Sequence, residues 1–217
     1  MRIYSLIALL FLAIGFSACN FNKKPPRVLV FSKTMGWHHE SIGAGQRAIW
    51  QMGADNDFAV DTTSDASYFT DDSLRHYTAV VFLNTTGDVL NQAEQNAFER
   101  FIQAGGGYVG VHAAADTEYD WRWYGKLVGA YFLDHPSGLQ QATFKIIDNS
   151  HPATAGLSSP WVHTDEIYNF QKISKDIKWL ITVDESTYKG GKNGNAHPIS
   201  WYHEYDGGRA FYTALGH

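Results

Sequence analysis

The sequence predicts an α/β protein: a doubly wound, mostly parallel sheet with some antiparallel strands in its C-terminal half. Three observations carry that prediction. Between residues 27 and 112, four apolar runs alternate with helix-forming stretches at the spacing of strand–helix–strand units. Those runs are continuously apolar and rich in β-branched residues, as in strands buried on both faces. In the second half a DGG turn joins two apolar and aromatic runs, the mark of a hairpin.

Each element has its own signal. RVLVFS (27–32) opens the domain as a buried strand. The loop TMGWHHE follows, and Ser41 stands where it can cap a helix running through about Met52. FAVDTT (58–63) reads as a second strand, TDDSLRH (70–76) as a short capped helix and TAVVFLN (78–84) as a third strand. Asn91, with Glu94 three residues on, forms a capping-box start, and Gly105 to Gly107 stop that helix. GYVGVH (107–112) is the fourth strand. ATFKIID (142–148), IKWLITV (177–183), HPISWYHE (197–204) and RAFYTAL (209–215) complete the set. The chain ends at LGH, where a doubly wound domain would normally add a covering helix, so a C-terminal truncation is one expectation.

Composition narrows the function. With 44% hydrophobic and 18% charged residues the chain is an ordinary globular protein. A net charge of -5, unbroken by any Lys/Arg cluster, excludes nucleic acid as an expected partner. Residues 1–18 read as a secretory signal peptide: Arg2, an uncharged apolar run, then small residues before the chain's single cysteine. FSAC resembles a bacterial lipobox, although Phe16 stands where Leu is most usual. Cys19 is therefore the expected lipidation site, residues 19–26 a lipidated tether, and residues 27–217 one domain. This expects a lipid-anchored protein of the bacterial cell envelope, facing the periplasm or the cell surface. With Cys19 carrying lipid, the domain has no thiol for nucleophilic catalysis or for a disulfide.

In open parallel sheets, ligands bind beyond the carboxyl ends of the strands. Those ends hold the unusual polar residues: Trp37, His38, His39 and Glu40 after the first strand, Asn84 to Thr86 after the third, His112 and Asp116 after the fourth, and His217 last. GYVGVHAAAD (107–116) reads as a strand entering a sharp small-residue turn, with His112 where α/β enzymes often carry Ser or Cys. Such a turn is expected to expose its central side chain at the sheet top. Asp165 and Glu166 are adjacent, so on a strand they would point to opposite faces and one of them would meet a substrate. His135 and His151, each before proline, fit a turn or a cleft wall equally. No H-E-x-x-H spacing occurs, and the neighbouring His38 and His39 diverge. A divalent metal would need ligands assembled across loops, so the cofactor stays open.

RVLVFSKTMGWHHESI, GGGYVGVHAAAD, HP at 135–136 and 151–152, DEIYNF and HPISWYHEYDGGRAFYTALGH, in that order, resemble the ThuA-like (trehalose utilisation) family. The resemblance runs from about residue 27 to the end. It implies a flavodoxin-like, class I glutamine-amidotransferase-like fold. Amidotransferases of that fold carry a Cys nucleophile at the elbow; His112 stands there instead, so glutaminase activity is not implied. The family's motif residues fall on His38, His39, His112, Asp116, Asp165, Glu166, Tyr168, Arg209, Gly216 and His217. The resemblance implies use of trehalose and related disaccharides, in pathways passing through 3-keto sugars.

Two function classes follow. One is an envelope enzyme acting on a carbohydrate or keto-sugar derivative, as an isomerase, lyase or hydrolase. His112, Asp165, Glu166 and His38 would be catalytic, and Trp37, His39, Asp116, Tyr168 and His217 would bind substrate. The other is a non-catalytic sugar-binding lipoprotein, in which Trp37, Trp121, Trp123, Tyr168 and Trp201 would matter more than the histidines. Convergence of the ionisable groups would favour the enzyme; aromatics lining a trough would favour binding.

Overall fold

A β-branched run is stable where both of its faces are covered, and the first strand of the domain is placed accordingly. The computed structural model describes residues 25–217. The expected signal peptide, Cys19 and the tether up to Lys24 lie outside the described residues. In chain order the domain runs β1 (Arg27–Phe31), α1 (Ile42–Asp55), β2 (Ala59–Thr63), α2 (Asp71–Leu74), β3 (Ala79–Leu83), α3 (Gln92–Gln103) and β4 (Gly107–Val111). It continues with α4 (Arg122–Val128), β5 (Tyr131–Asp134), β6 (Gln140–Ile146), β7 (Trp161–Asp165), β8 (Asn169–Gln171), β9 (Lys178–Asp184), β10 (Pro198–Tyr205) and β11 (Gly208–Thr213).

Nine strands form one sheet in the order β2-β1-β3-β4-β11-β10-β9-β6-β7. The first five are mutually parallel, a flavodoxin-like order, and the other four extend the sheet antiparallel. β5 and β8 pair separately as a two-stranded antiparallel ribbon. Alternation along β1 and β3 divides the core. Leu29, Phe31, Val80 and Phe82 meet Phe69, Phe98, Tyr108 and Tyr124 on one face. Val30, Val81 and Leu83 meet Ile49 of α1 on the other.

The cap signals hold in detail at two helices and fail at one. Asn91 accepts from the Ala93 and Glu94 amides while Glu94 reaches back to the Asn91 amide, a complete capping box. Thr70 caps α2 through the Ser73 amide. Ser41 precedes α1 as expected but makes no capping bond; its hydroxyl is engaged elsewhere. The DGG hairpin is observed: Asp206 (φ 49°) and Gly207 (φ 91°) turn β10 into β11 in the left-handed region that a two-residue hairpin requires. The sequence did not signal α4, β5, β7 or β8. α4 has seven residues and no capping side chain, and β8 only three residues, too short for periodicity to register.

The turn after β4 is anchored by a buried acid that sequence patterning did not single out. Glu118 is 2% exposed. One carboxylate oxygen accepts from the Val89 and Leu90 amides at 2.8 and 2.7 Å, and the other from Gln95 at 2.8 Å. Burial pushes this carboxyl above its ordinary range, and those three donors counter the push. Glu118→Ala leaves two amides without an acceptor and is expected to cost about 2–4 kcal/mol in urea denaturation. Glu118→Gln keeps an oxygen between the two amides and is expected to cost less than half as much.

Candidate functional site

β4 ends in strain. His112 has φ 50°, a left-handed conformation that histidine tolerates better than most side chains but still at some cost. The turn after it is a 3-10 helix through Asp116, not the start of an α-helix. The His112 side chain is also fully buried rather than exposed at the sheet top. Two contacts from the last strand hold it. The Tyr212 hydroxyl donates to the His112 carbonyl at 2.7 Å, and His112 Nδ1 lies 2.6 Å from the Ala214 carbonyl. A carbonyl only accepts, so Nδ1 carries a proton, and in the neutral ring Nε2 carries the lone pair. That lone pair is buried without a hydrogen-bond partner.

Three further strand ends converge on Nε2. His39, after β1, is 4% exposed and packs edge-on against His112 and His217, with ring centres 4.9 and 5.3 Å away. Glu166, just past β7, places Oε2 3.4 Å from His112 Nε2 and 3.5 Å from His217 Nδ1. Its Oε1 lies 3.1 Å from His135 Nδ1, after β5. His39, His112, Glu166 and His217 each offer one ligand atom, and all four atoms lie within 4.8 Å of one another. Burial, with the neighbouring His112 and His217, lowers the His39 pKa to about 4, so its ring is neutral at neutral pH. Burial raises the Glu166 carboxyl, but His112, His135 and His217 outweigh it and hold the group below its ordinary value.

Asp165 and Glu166 divide their work as their opposite directions predict. Glu166 enters the cluster. Asp165 accepts from the backbone amides of Gly216 (3.0 Å), His217 (3.2 Å) and Glu166 (2.8 Å), so it positions the cluster and does not project into it. The Gly216 carbonyl accepts from Ser41 at 2.9 Å and from Asn84 at 3.3 Å, linking the end of β11 to α1 and β3. Gly216 sits at φ 130°, where a side chain is strained, and a Cβ there would lie 3.1 Å from Val111.

The other expected residues fall at varied distances. Tyr168 is buried, with its ring 4.2 Å from that of His112. Asp116 accepts from the Tyr119 hydroxyl at 2.6 Å. His38 is exposed and faces Thr34, so the structure does not bring it to Glu166. Trp37 is 72% exposed beside it. Arg209 pairs with Gly107 at the opposite end of the parallel strands. His135, left between turn and cleft wall by sequence, belongs to the site; its HP motif was the available signal. The tryptophans expected to line a trough do not gather at the cluster. Trp201 is core, while Trp121 and Trp123 stack on each other with their ring nitrogens bound to Glu99 and Asp206. A cavity of about 790 Å³ between Tyr119, Arg122, Lys172 and His203 contains none of the cluster residues.

With this arrangement in view, comparison with known proteins is informative. The chain belongs to the ThuA family, described as trehalose utilisation, whose model matches residues 27–217. A ThuA-like protein from Bacteroides uniformis is 25% identical with a TM-score of 0.75, over 92% of this chain and 86% of that one. A ThuA-like protein from Parabacteroides merdae is 22% identical with a TM-score of 0.71, over 89% and 80%. A β-galactosidase from Rahnella sp. R3 is 20% identical with a TM-score of 0.57, but over only 28% of its own length, and shares the fold alone. No curated protein matches.

If Asp165 holds the end of the chain in place, Asp165→Ala should speed amide hydrogen exchange at Gly216 and His217 by about tenfold or more. Protection in β1 and β3 should not change. Unaltered exchange at the two amides would show that the carboxylate does not secure them.

Proposed function

We propose that the protein is a cell-envelope enzyme acting on a carbohydrate, with a keto-sugar derivative as substrate and the Glu166 cluster as its reaction centre. The observation that carries this reading is the buried Glu166 carboxylate with three imidazoles around it, at the carboxyl ends of parallel strands. Such convergence of ionisable groups suits proton transfer better than simple sugar binding.

Roles within the cluster follow from exposure and tautomer. His112 is too deeply buried to touch a sugar; its ring forms the floor of the cluster beneath Glu166. His135 is better placed, with a side chain 36% exposed. Its Nδ1 faces two acceptors, Glu166 Oε1 and the Pro136 carbonyl at 2.8 Å, so the proton sits there and Nε2 carries the lone pair. This is a carboxylate-oriented imidazole, the arrangement that makes a general base. A proton on the carbon beside a ketone would move to His135 Nε2, and the C–H electron pair would shift into the carbonyl to give an enediolate. Returning the proton to the former carbonyl carbon, while the neighbouring hydroxyl passes its proton to the old carbonyl oxygen, completes an isomerisation. Expelling an oxygen substituent from the next carbon, with the proton given to the departing oxygen, completes an elimination. Family membership in trehalose utilisation supports a disaccharide-derived substrate.

Purified protein is expected to consume a 3-keto disaccharide in a product-resolved assay. Glu166→Gln should lower kcat by about 10²-fold or more, and His38→Ala should leave it near wild type. Full turnover by Glu166→Gln would overturn the assignment. The envelope reading has its own check: metabolic labelling with palmitate should mark the chain and should be lost in Cys19→Ser.

A further inference from the structure

We propose that His39, His112, His217 and Glu166 form a binding site for one divalent transition-metal ion. Four donors from four separate strand ends bring one ligand atom each within 4.8 Å of the others. Four ligands in a tetrahedron, each at about 2.1 Å from one ion, lie about 3.4 Å apart, so the widest separations in the cluster have to close by up to about 1.4 Å, within the reach of side-chain rotation.

The polar inventory points the same way. His112 Nε2 is a buried lone pair, and the atom facing it is a carboxylate oxygen 3.4 Å away, also an acceptor. With the ring neutral, two acceptors facing each other in a buried site leave a place for a cation between them. His39 Nδ1 is likewise buried without a partner. The bond from His112 Nδ1 to the Ala214 carbonyl is the support that metal-bound histidines ordinarily have, fixing both the tautomer and the ring. Oε1 of Glu166 stays with His135, so the carboxylate can bind an ion through Oε2 and orient the base through Oε1.

The donor set selects the ion class. Three imidazoles and one carboxylate suit Zn, Co, Ni, Mn or Fe, whereas Mg and Ca prefer all-oxygen sites. His39, His112 and Glu166 are buried, and His217 is exposed, so the site is closed below and open at one side, where a ligand could reach it. At that position an ion would polarise a carbonyl oxygen as a Lewis acid. Its part in turnover rests on the keto-sugar reading above; the binding of the ion does not.

The test uses the full chain carrying Cys19→Ser, which removes the only thiol from the measurement. After chelator treatment, Zn²⁺ and Co²⁺ are added back and followed by calorimetry and by metal analysis after gel filtration. The expected result is one ion retained per chain, visible Co²⁺ absorption and a raised melting temperature. His112→Asn and Glu166→Gln should weaken affinity by at least about tenfold. His217→Ala should do the same, and its exposed side chain separates lost ligation from lost folding. His38→Ala should bind like wild type. No retained ion with Zn²⁺, Co²⁺, Ni²⁺, Mn²⁺ or Fe²⁺, or retention indifferent to all three cluster variants, would overturn the site. Stoichiometric binding without keto-sugar turnover would leave the metal site standing and overturn only the substrate reading.

Discussion

The parallel pairing of β11 with β4 is the constraint on which the rest of this molecule depends. It joins the five-stranded parallel half to the antiparallel half, because β11 also pairs with β10. The same register carries the end of the chain past the end of β4. There the Ala214 carbonyl accepts from His112 Nδ1, the Tyr212 hydroxyl donates to the His112 carbonyl, and His217 arrives beside the imidazole. A strained backbone at His112 persists because these contacts from another strand over-determine it. Asn84, at the end of the adjacent β3, shares the left-handed conformation, with φ 51°. The rim of the parallel sheet thus carries its strain where the polar groups gather.

Burial of Glu166 sets the second condition. An isolated carboxylate loses several kcal/mol of solvation in a dry interior, so its position there requires compensating positive or donating groups. His135 and His217 meet that need from the more open side, and the His112 ring limits the depth. Asp165, one residue earlier, accepts from three backbone amides and is turned to the backbone rather than to the cluster. Two neighbouring acids therefore do unlike work, one shaping the backbone and one presenting charge.

The fold alone does not select the chemistry. A β-galactosidase of unrelated length shares this architecture, and its activity says nothing of this chain. What marks the site is the coincidence of buried lone pairs, a carboxylate and two partly exposed imidazoles at the strand ends. Glu118 has no share in the chemistry, yet by tying the turn after His112 to the start of α3 it steadies the element that carries the site.

Much of this was legible in the chain by itself. Apolar runs and cap residues determined the parallel half, because strand burial and helix capping are decided within a few neighbouring residues. The hairpin at Asp206–Gly207 was legible for the same reason. The strand-end rule also places His39, His112 and His217 on one rim. Only the tertiary structure decided which of those groups meet. His38 and His39 are neighbours in sequence, but one faces solvent and the other the cluster, a choice made by the loop packing after β1. His135 follows β5 of the separate ribbon and Glu166 follows β7 of the antiparallel extension; both strands are short and carry little periodicity, and the contact depends on long-range register. The tautomer of His112, and with it the direction of its lone pair, is set by a carbonyl 102 residues away. Local patterning cannot encode such a contact, because its partner exists only once the sheet has closed.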